Sequence, residues 1–309
     1  MIIKVSVGEV TMMNYKIYKN VKLGKRVEIG DFAVIGLPLS GAKEGEQETI
    51  IEDGAIIGSH SVIYAGARLG RNFKCGHGVV IGENSVVGND CSVGSNSVIQ
   101  HSRLGSDVTI GELVNLGILP LSKYDHRGVG KDIESVVIVG DKSVIRSHSS
   151  IYAKTRFGSN FNCGHGVRIR ECTIVGKHTQ IGTNTQIEGF SEIGDDVLLH
   201  TNTHIGQFSR LEDETYLAPG TVLTNTPHPL CPEVKQCIQG VIVKKGAKIT
   251  TNATIGPRVT VGENALVGAG AVVFSDVEPN AVVVGIPAKK IKDVREITCP
   301  YGIIDKPYK

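Results

Sequence analysis

Aliphatic positions recur every six residues along most of the chain. From Ile51 the sequence reads IEDGAI, IGSHSV, IYAGAR, LGRNFK, CGHGVV, IGENSV, VGNDCS, VGSNSV. The pattern returns from Val139 as VGDKSV, IRSHSS, IYAKTR, FGSNFN, CGHGVR, IRECTI, VGKHTQ, IGTNTQ, and runs on through IGDDVL, LHTNTH and IGQFSR to LAPGTV. A last block reads VKKGAK, ITTNAT, IGPRVT, VGENAL, VGAGAV, and two weaker copies begin near Leu23. Position one is aliphatic, position two usually Gly, position four often Asn or Asp, and position five small or β-branched. A period of six gives no 3.6-residue helical stripe, and its turn signals come too often for an alternating sandwich.

Six residues suffice for one short strand and a tight corner. Positions one and five then point inward. Gly at two and Asn or Asp at four are expected where the backbone takes angles that most residues avoid. Three units close a triangular coil of about 18 residues, and stacked coils pair as parallel strands about 4.8 Å apart. Each coil buries its aliphatics only against its neighbours, so many copies are required. Roughly 35 units predict about 12 coils and an all-β rod of roughly 55–60 Å. The solenoid should occupy residues 1–284. Residues 285–309 read as a short basic helix, PAKKIKDVRE, and an irregular tail.

Three segments leave the pattern: 41–48, 118–134 and 224–240. A β-helix extrudes such insertions at its corners, where function concentrates. The rod also contains a duplication, spanning 51–119 and 139–210. Ile63–Glu83 matches Ile151–Glu171 at an offset of 88, with 14 of 21 positions identical, including Arg68/Arg156, Asn72/Asn160 and His77/His165.

Composition fits thin, frequently turning layers: 38 Gly, 5% aromatic residues and no Trp. A net charge of +2 without a long basic run gives no sign of nucleic acid. The opening MIIKVSVGEV has no signal-like apolar stretch and no long apolar run follows, which predicts a cytoplasmic protein without a membrane partner. Of the seven cysteines, Cys75, Cys91, Cys163 and Cys172 fall inside hexads, where reduced, buried thiols are expected. Cys231 and Cys237 are too far apart for a metal knuckle.

These hexads resemble the hexapeptide-repeat acyltransferase superfamily. The resemblance implies a left-handed coil, against the usual crossover hand, and a homotrimer of parallel rods. From about Val175 to Val294 the chain is similar to a narrower group, the nucleotide-sugar N-acetyltransferases. The matching stretches are LEDETYLAPGTVLTNTPHP, VKKGAKITTNATIGPRVTVGENALVGAGAVV and VVVGIPAKKI. That similarity implies acetyl-CoA as co-substrate, with no metal, and acyl transfer to an amine or hydroxyl of a small acceptor, most simply a nucleotide-linked amino sugar. It places the pantetheine arm along Ala218, Pro219, Ala247, Ala253, Gly268 and Ala269, and the coenzyme's phosphates near Lys289 and Lys290. It maps Asn202 onto an active-site position.

The chemistry asks for a proton acceptor, oxyanion donors and a groove with little side-chain bulk. Candidates for the catalytic set are His200 and Asn202, then His204 and His228, with Asn225 and His165 toward the acceptor. Each histidine can also be read as a solvent-facing corner residue. His77 and His165 are either surface residues inherited with the duplication or part of a second acceptor pocket. Two other functions stay open: a γ-type carbonic anhydrase, with zinc on histidines such as His165, His200 and His204, and a non-enzymatic scaffold.

Overall fold

A computed structural model describes residues 14–120 and 136–308. Its chain winds through three sheets of 13, 12 and 14 strands, parallel except for the last strand of the third, and visits them in rotation from Lys16 to Val273. The first sheet begins at Lys16–Ile17, the second at Val21–Leu23 and the third at Glu28–Ile29. This is the architecture expected of a left-handed β-helix. Thirteen strands in the first sheet give a rod of about 60 Å at the strand spacing.

Register follows the hexad. Position one of each unit stacks on position one of the next coil, as in Ile63↔Ile81 and Ile81↔Ile99. These aliphatics and the small residues at position five form one continuous buried core. Many position-five residues are Ser or Thr, and their buried hydroxyls turn back to a nearby carbonyl: Ser209 Oγ donates to Gly206 O at 2.6 Å and Thr221 Oγ1 to Ala218 O at 2.8 Å. Most of these hydroxyls are thus buried with their hydrogen bond met; Ser85 and Thr215 are exceptions.

Glycine at position two has a different cause from the one the sequence suggested. Except at Gly36 and Gly117, where insertions leave, its φ is not positive. A Cβ on Gly58 would instead lie 2.1 Å from the carbonyl oxygen of Gly76 in the next coil. Position four is the left-handed residue, with φ near +60° in Asn202, Asn184 and Asn252, and equally in Phe208, Cys172 and Glu214. Stacking enforces this geometry on residues that rarely adopt it alone. Cys172 is therefore a half-buried corner residue, whereas Cys75, Cys91 and Cys163 face the core as expected. Burial pushes the Cys163 thiol up to about 11.

We number the corners by the sheets they leave. The first joins sheet one to sheet two, the second joins two to three, and the third returns to sheet one. All three insertions leave at the first corner. They follow Val34–Leu37, Asn115–Ile118 and Val222–Leu223, all in sheet one, and re-enter at Thr49–Ile51, Val137–Val139 and Ile242–Val243 in sheet two. Most of the middle insertion, residues 121–135, lies outside the described residues. The last contains one short helix, Val234–Cys237, and its neck is closed by Gln239 N donating to Asn225 O at 3.0 Å.

The tail differs from the short basic helix predicted for it. Lys289–Asp293 is a strand, paired antiparallel with Ala281–Val284, and only Val294–Glu296 makes a helical turn. The terminal coil leaves a row of unpaired backbone groups, and satisfying them outweighs the weak helical preference of so short a segment. Among the described residues, no helix is long and apolar enough to cross a membrane.

Candidate functional site

The third corner gathers most of the residues singled out from the sequence. Reading along the rod, its turns are Gly164–His165–Gly166, Gly182–Thr183–Asn184, His200–Thr201–Asn202, Ala218–Pro219–Gly220, Thr250–Thr251–Asn252 and Gly268–Ala269–Gly270. Their backbones form a ladder: Asn184 N donates to His165 O, Asn202 N to Thr183 O, Gly220 N to Thr201 O, Asn252 N to Pro219 O and Gly270 N to Thr251 O, all at 2.9–3.1 Å. His165, His200, Asn202, Ala218, Pro219, Gly268 and Ala269 thus share one edge of the rod.

His200 is the most constrained of them. Its carbonyl accepts from Thr185 Oγ1 at 2.9 Å and Thr203 Oγ1 at 2.7 Å, one hydroxyl from each of two coils. Its half-buried ring meets the Tyr216 ring edge-on, with centroids 5.1 Å apart. Tyr216 and the two threonines were not picked out from the sequence. Their signal was available: Tyr216 stands at the outward sixth position of a hexad, next to Leu198 in the register.

Asn202 is exposed, with φ +58°. That conformation alone accounts for Asn at this position. His204 lies on the outer face of sheet one, between Gln186 and Val222. Asn225 and His228 belong to the insertion at the first corner, on the opposite edge of sheet one. Asn225 Oδ1 accepts from Thr226 Oγ1 at 2.9 Å, and His228 is exposed.

The groove residues divide in two. Gly268 and Ala269 present a low-bulk, accessible surface, and a Cβ on neighbouring Gly270 would meet nothing within 4 Å. Ala247 and Ala253 are fully buried in the core of the rod. Their side chains point away from any outer groove, a correction to their place in the cofactor set; position five faces the axis. Ala218 is 3% exposed and offers mainly its backbone. Lys290 is committed to an ion pair with Glu278 at 2.6 Å, which holds the Glu278 carboxyl below its ordinary range. Lys289 is exposed.

The histidines weighed for zinc do not converge within the chain. His165 and His200 are two coils apart, roughly 10 Å along the axis, and among the described residues no three His, Cys, Asp or Glu side chains are grouped to hold a metal ion. In the duplicated half, His77 Nδ1 accepts from Ser59 N at 3.0 Å, which puts the proton of its neutral ring on Nε2. The equivalent His165 uses its backbone N–H toward Thr183 Oγ1 at 3.3 Å.

Comparison with known proteins returns the repeat. No curated protein matches the chain. Among solved structures, the chain is similar to a maltose O-acetyltransferase from Clostridium difficile 630, with 28% identity over 38% of this chain and 68% of that one and a TM-score of 0.34. It is similar to a UDP-N-acetylglucosamine acyltransferase from Francisella novicida, with 19% identity over 90% and 70% and a TM-score of 0.31. It is also similar to PerB from Caulobacter crescentus, solved with CoA and GDP-perosamine, with 21% identity over 48% and 57% and a TM-score of 0.27. Residues 48–83 and 251–275 match the family model described as the hexapeptide repeat of succinyl-transferase, so one matched block opens the duplicated half and the other carries the outer end of the third corner.

Proposed function

We propose that this chain transfers an acetyl group from acetyl-CoA to an amine, or a hydroxyl, of a small nucleotide-linked sugar. One observation carries the reading: His200, Asn202, Ala218, Pro219, Gly268 and Ala269, chosen from the sequence, lie on one edge of the rod joined by a continuous backbone ladder. The matched block 251–275 includes Gly268 and Ala269, so the repeat described for succinyl-transferase runs through this part of the edge. The low bulk at Gly268–Gly270 suits a pantetheine arm, and Lys289 is available to its phosphates.

In this reading the His200 imidazole takes the acceptor's proton as the amine attacks the thioester carbonyl. Backbone N–H groups and the Asn202 amide steady the oxyanion. Collapse of the tetrahedral species breaks the C–S bond, and the proton on His200 passes to the leaving sulfur. No acyl-enzyme is needed. His165 borders the acceptor from the same edge, His204 is a further catalytic candidate on the adjoining face, and His228 and Asn225, on the opposite edge of sheet one, would reach the site only from a neighbouring rod. The assembly is a homotrimer of parallel rods, which would set the first-corner insertion of one rod beside a neighbour's edge.

The test is thiol release from acetyl-CoA in the presence of UDP- and GDP-linked amino sugars, with calorimetry for coenzyme A. Release that requires an amino sugar supports the reading. A chain that neither binds coenzyme A nor releases thiol with any acceptor overturns it.

A further inference from the structure

The outer face of the second sheet carries an alternation found on neither of the other two. Cations stand at every second coil: Lys22, Arg68, Arg103 and Arg156. Between them stand Ile50, Val86, Ile138 and Ile174. The register is unbroken, each residue pairing with the next: Lys22↔Ile50, Ile50↔Arg68, Arg68↔Val86, Val86↔Arg103, Arg103↔Ile138, Ile138↔Arg156 and Arg156↔Ile174. It stops at Glu192, which pairs with Arg210 at 3.8 Å. Over the same coils the first sheet shows Val62, Val80 and Val98, and the third Lys74, Ser92 and Thr109.

The face is accessible. Arg68 is 55% exposed, Val86 36% and Ile174 50%. Among the described residues, Arg103 and Arg156 have no acidic partner within 4 Å; Lys22 and Arg68 share the single carboxylate of Glu48, at 2.5 and 4.0 Å. Cations held in a straight row two coils apart repeat at roughly 9.6 Å, twice the strand spacing. An aliphatic rung fills each interval.

We infer that this face binds an extended anionic polysaccharide bearing one carboxylate or sulfate on every second sugar ring. A disaccharide repeat has a length comparable to two coils. Its anionic groups would meet the guanidinium forks, and the C–H face of each intervening ring would lie on an aliphatic rung. Competing polyanions fit less well. Phosphates along one strand of duplex nucleic acid repeat at about 3.4 Å, and single strands are held by aromatic stacking platforms, which the rungs between these cations lack. An extended acidic peptide repeats on one face at about 6.6 Å, out of step with the ladder. The inference stands apart from the acyl-transfer reading and uses none of its residues.

The test measures binding of the full chain at low ionic strength to a polymer alternating glucuronate with a neutral N-acetylated sugar. A polyglucuronate and oligodeoxythymidylate serve as comparison probes. Arg68→Gln/Arg103→Gln/Arg156→Gln should weaken binding of the alternating polymer about tenfold or more. Lys74→Gln/Arg168→Gln, which removes cations from the other two sheets, should leave it within about twofold. Unchanged circular dichroism and sedimentation of both variants exclude a folding effect, and the single variant Arg103→Gln gives an independent reading in the same direction. Absence of binding at low salt, equal losses from the two multiple variants, or tighter binding of oligodeoxythymidylate than of the alternating polymer overturns the inference.

Discussion

The first and third corners are built from the same hexads and behave in opposite ways. At the third corner the position-four N–H of each coil reaches the coil before it without a break, from His60 N to Asp31 O through to Gly270 N to Thr251 O, within 2.9–3.1 Å. At the first corner the row is broken by three insertions, and where it survives it is less regular: Cys172 N to Ala153 O is 3.3 Å, Phe190 N to Glu171 O 3.0 Å and Phe208 N to Gly189 O 3.4 Å. Insertions are tolerated where the register is held by the other two edges. The regular edge can then hold chemical groups to a fixed spacing, while the interrupted edge supplies variable surface.

Four experiments would break or sharpen this contrast. On the regular edge, His200→Ala should lower turnover by about 10²–10⁴ while acetyl-CoA affinity stays unchanged; an enzyme that keeps full turnover without this imidazole removes His200 from the mechanism. At the next residue but one, Asn202→Val places a β-branched side chain at φ +58° and should cost about 1–3 kcal/mol in urea unfolding. Asn202→Gly keeps the conformation at little cost, so a fall in its turnover would mark the amide itself, and retained turnover would leave only the backbone role.

The interrupted edge offers a comparison between duplicated positions. Glu171, 8% exposed, receives Arg170 Nε at 2.7 Å and Nη2 at 2.8 Å, and the same guanidinium lies 5.0 Å over the Tyr152 ring. Its counterpart Glu83 has, among the described residues, only His101, at 3.8 Å. Removing Glu171 should cost about 1–3 kcal/mol because Arg170 loses its two short hydrogen bonds in a half-buried site and is left with Glu188, at 3.8 Å. Glu83→Ala should cost less than about 1 kcal/mol. Equal losses in thermal unfolding would show that the duplication did not diverge in stability at this corner. The smallest effect is expected from replacing 41–48 with a direct hexad corner, which should shift stability by less than about 1 kcal/mol. A large loss would mean that this insertion, through the Glu48 carboxylate it contains, is part of the fold.

The winding was readable because its cause is local. A six-residue period can be satisfied by little except a stack of three-sided coils, and the inward positions fall where the hexads put them. Two readings failed for reasons that are not local. The requirement for Gly58 comes from the carbonyl of Gly76, eighteen residues later, and the strand at Lys289–Asp293 exists because Ala281–Val284 needs a partner. The candidate site was legible only as a set of corner positions, since hexad position fixes the edge on which a residue stands. It was less legible as chemistry. Ala247 and Ala253 looked like groove residues in a similarity pattern, but position five turns their methyls to the axis. The contacts around His200 depend on Thr185 and Tyr216, which come from the coils on either side.

The reversed direction of Lys289–Asp293 has a consequence for how the rods associate. A stack of identical parallel layers has no intrinsic last member, and an open layer at one end would template the first layer of another molecule, growing a fibre by the same bonds that hold one rod together. A final strand running the opposite way offers the wrong polarity for that addition, and the exposed lysines along it oppose approach. A turned-back last strand thus denies a second molecule a parallel template along the third sheet.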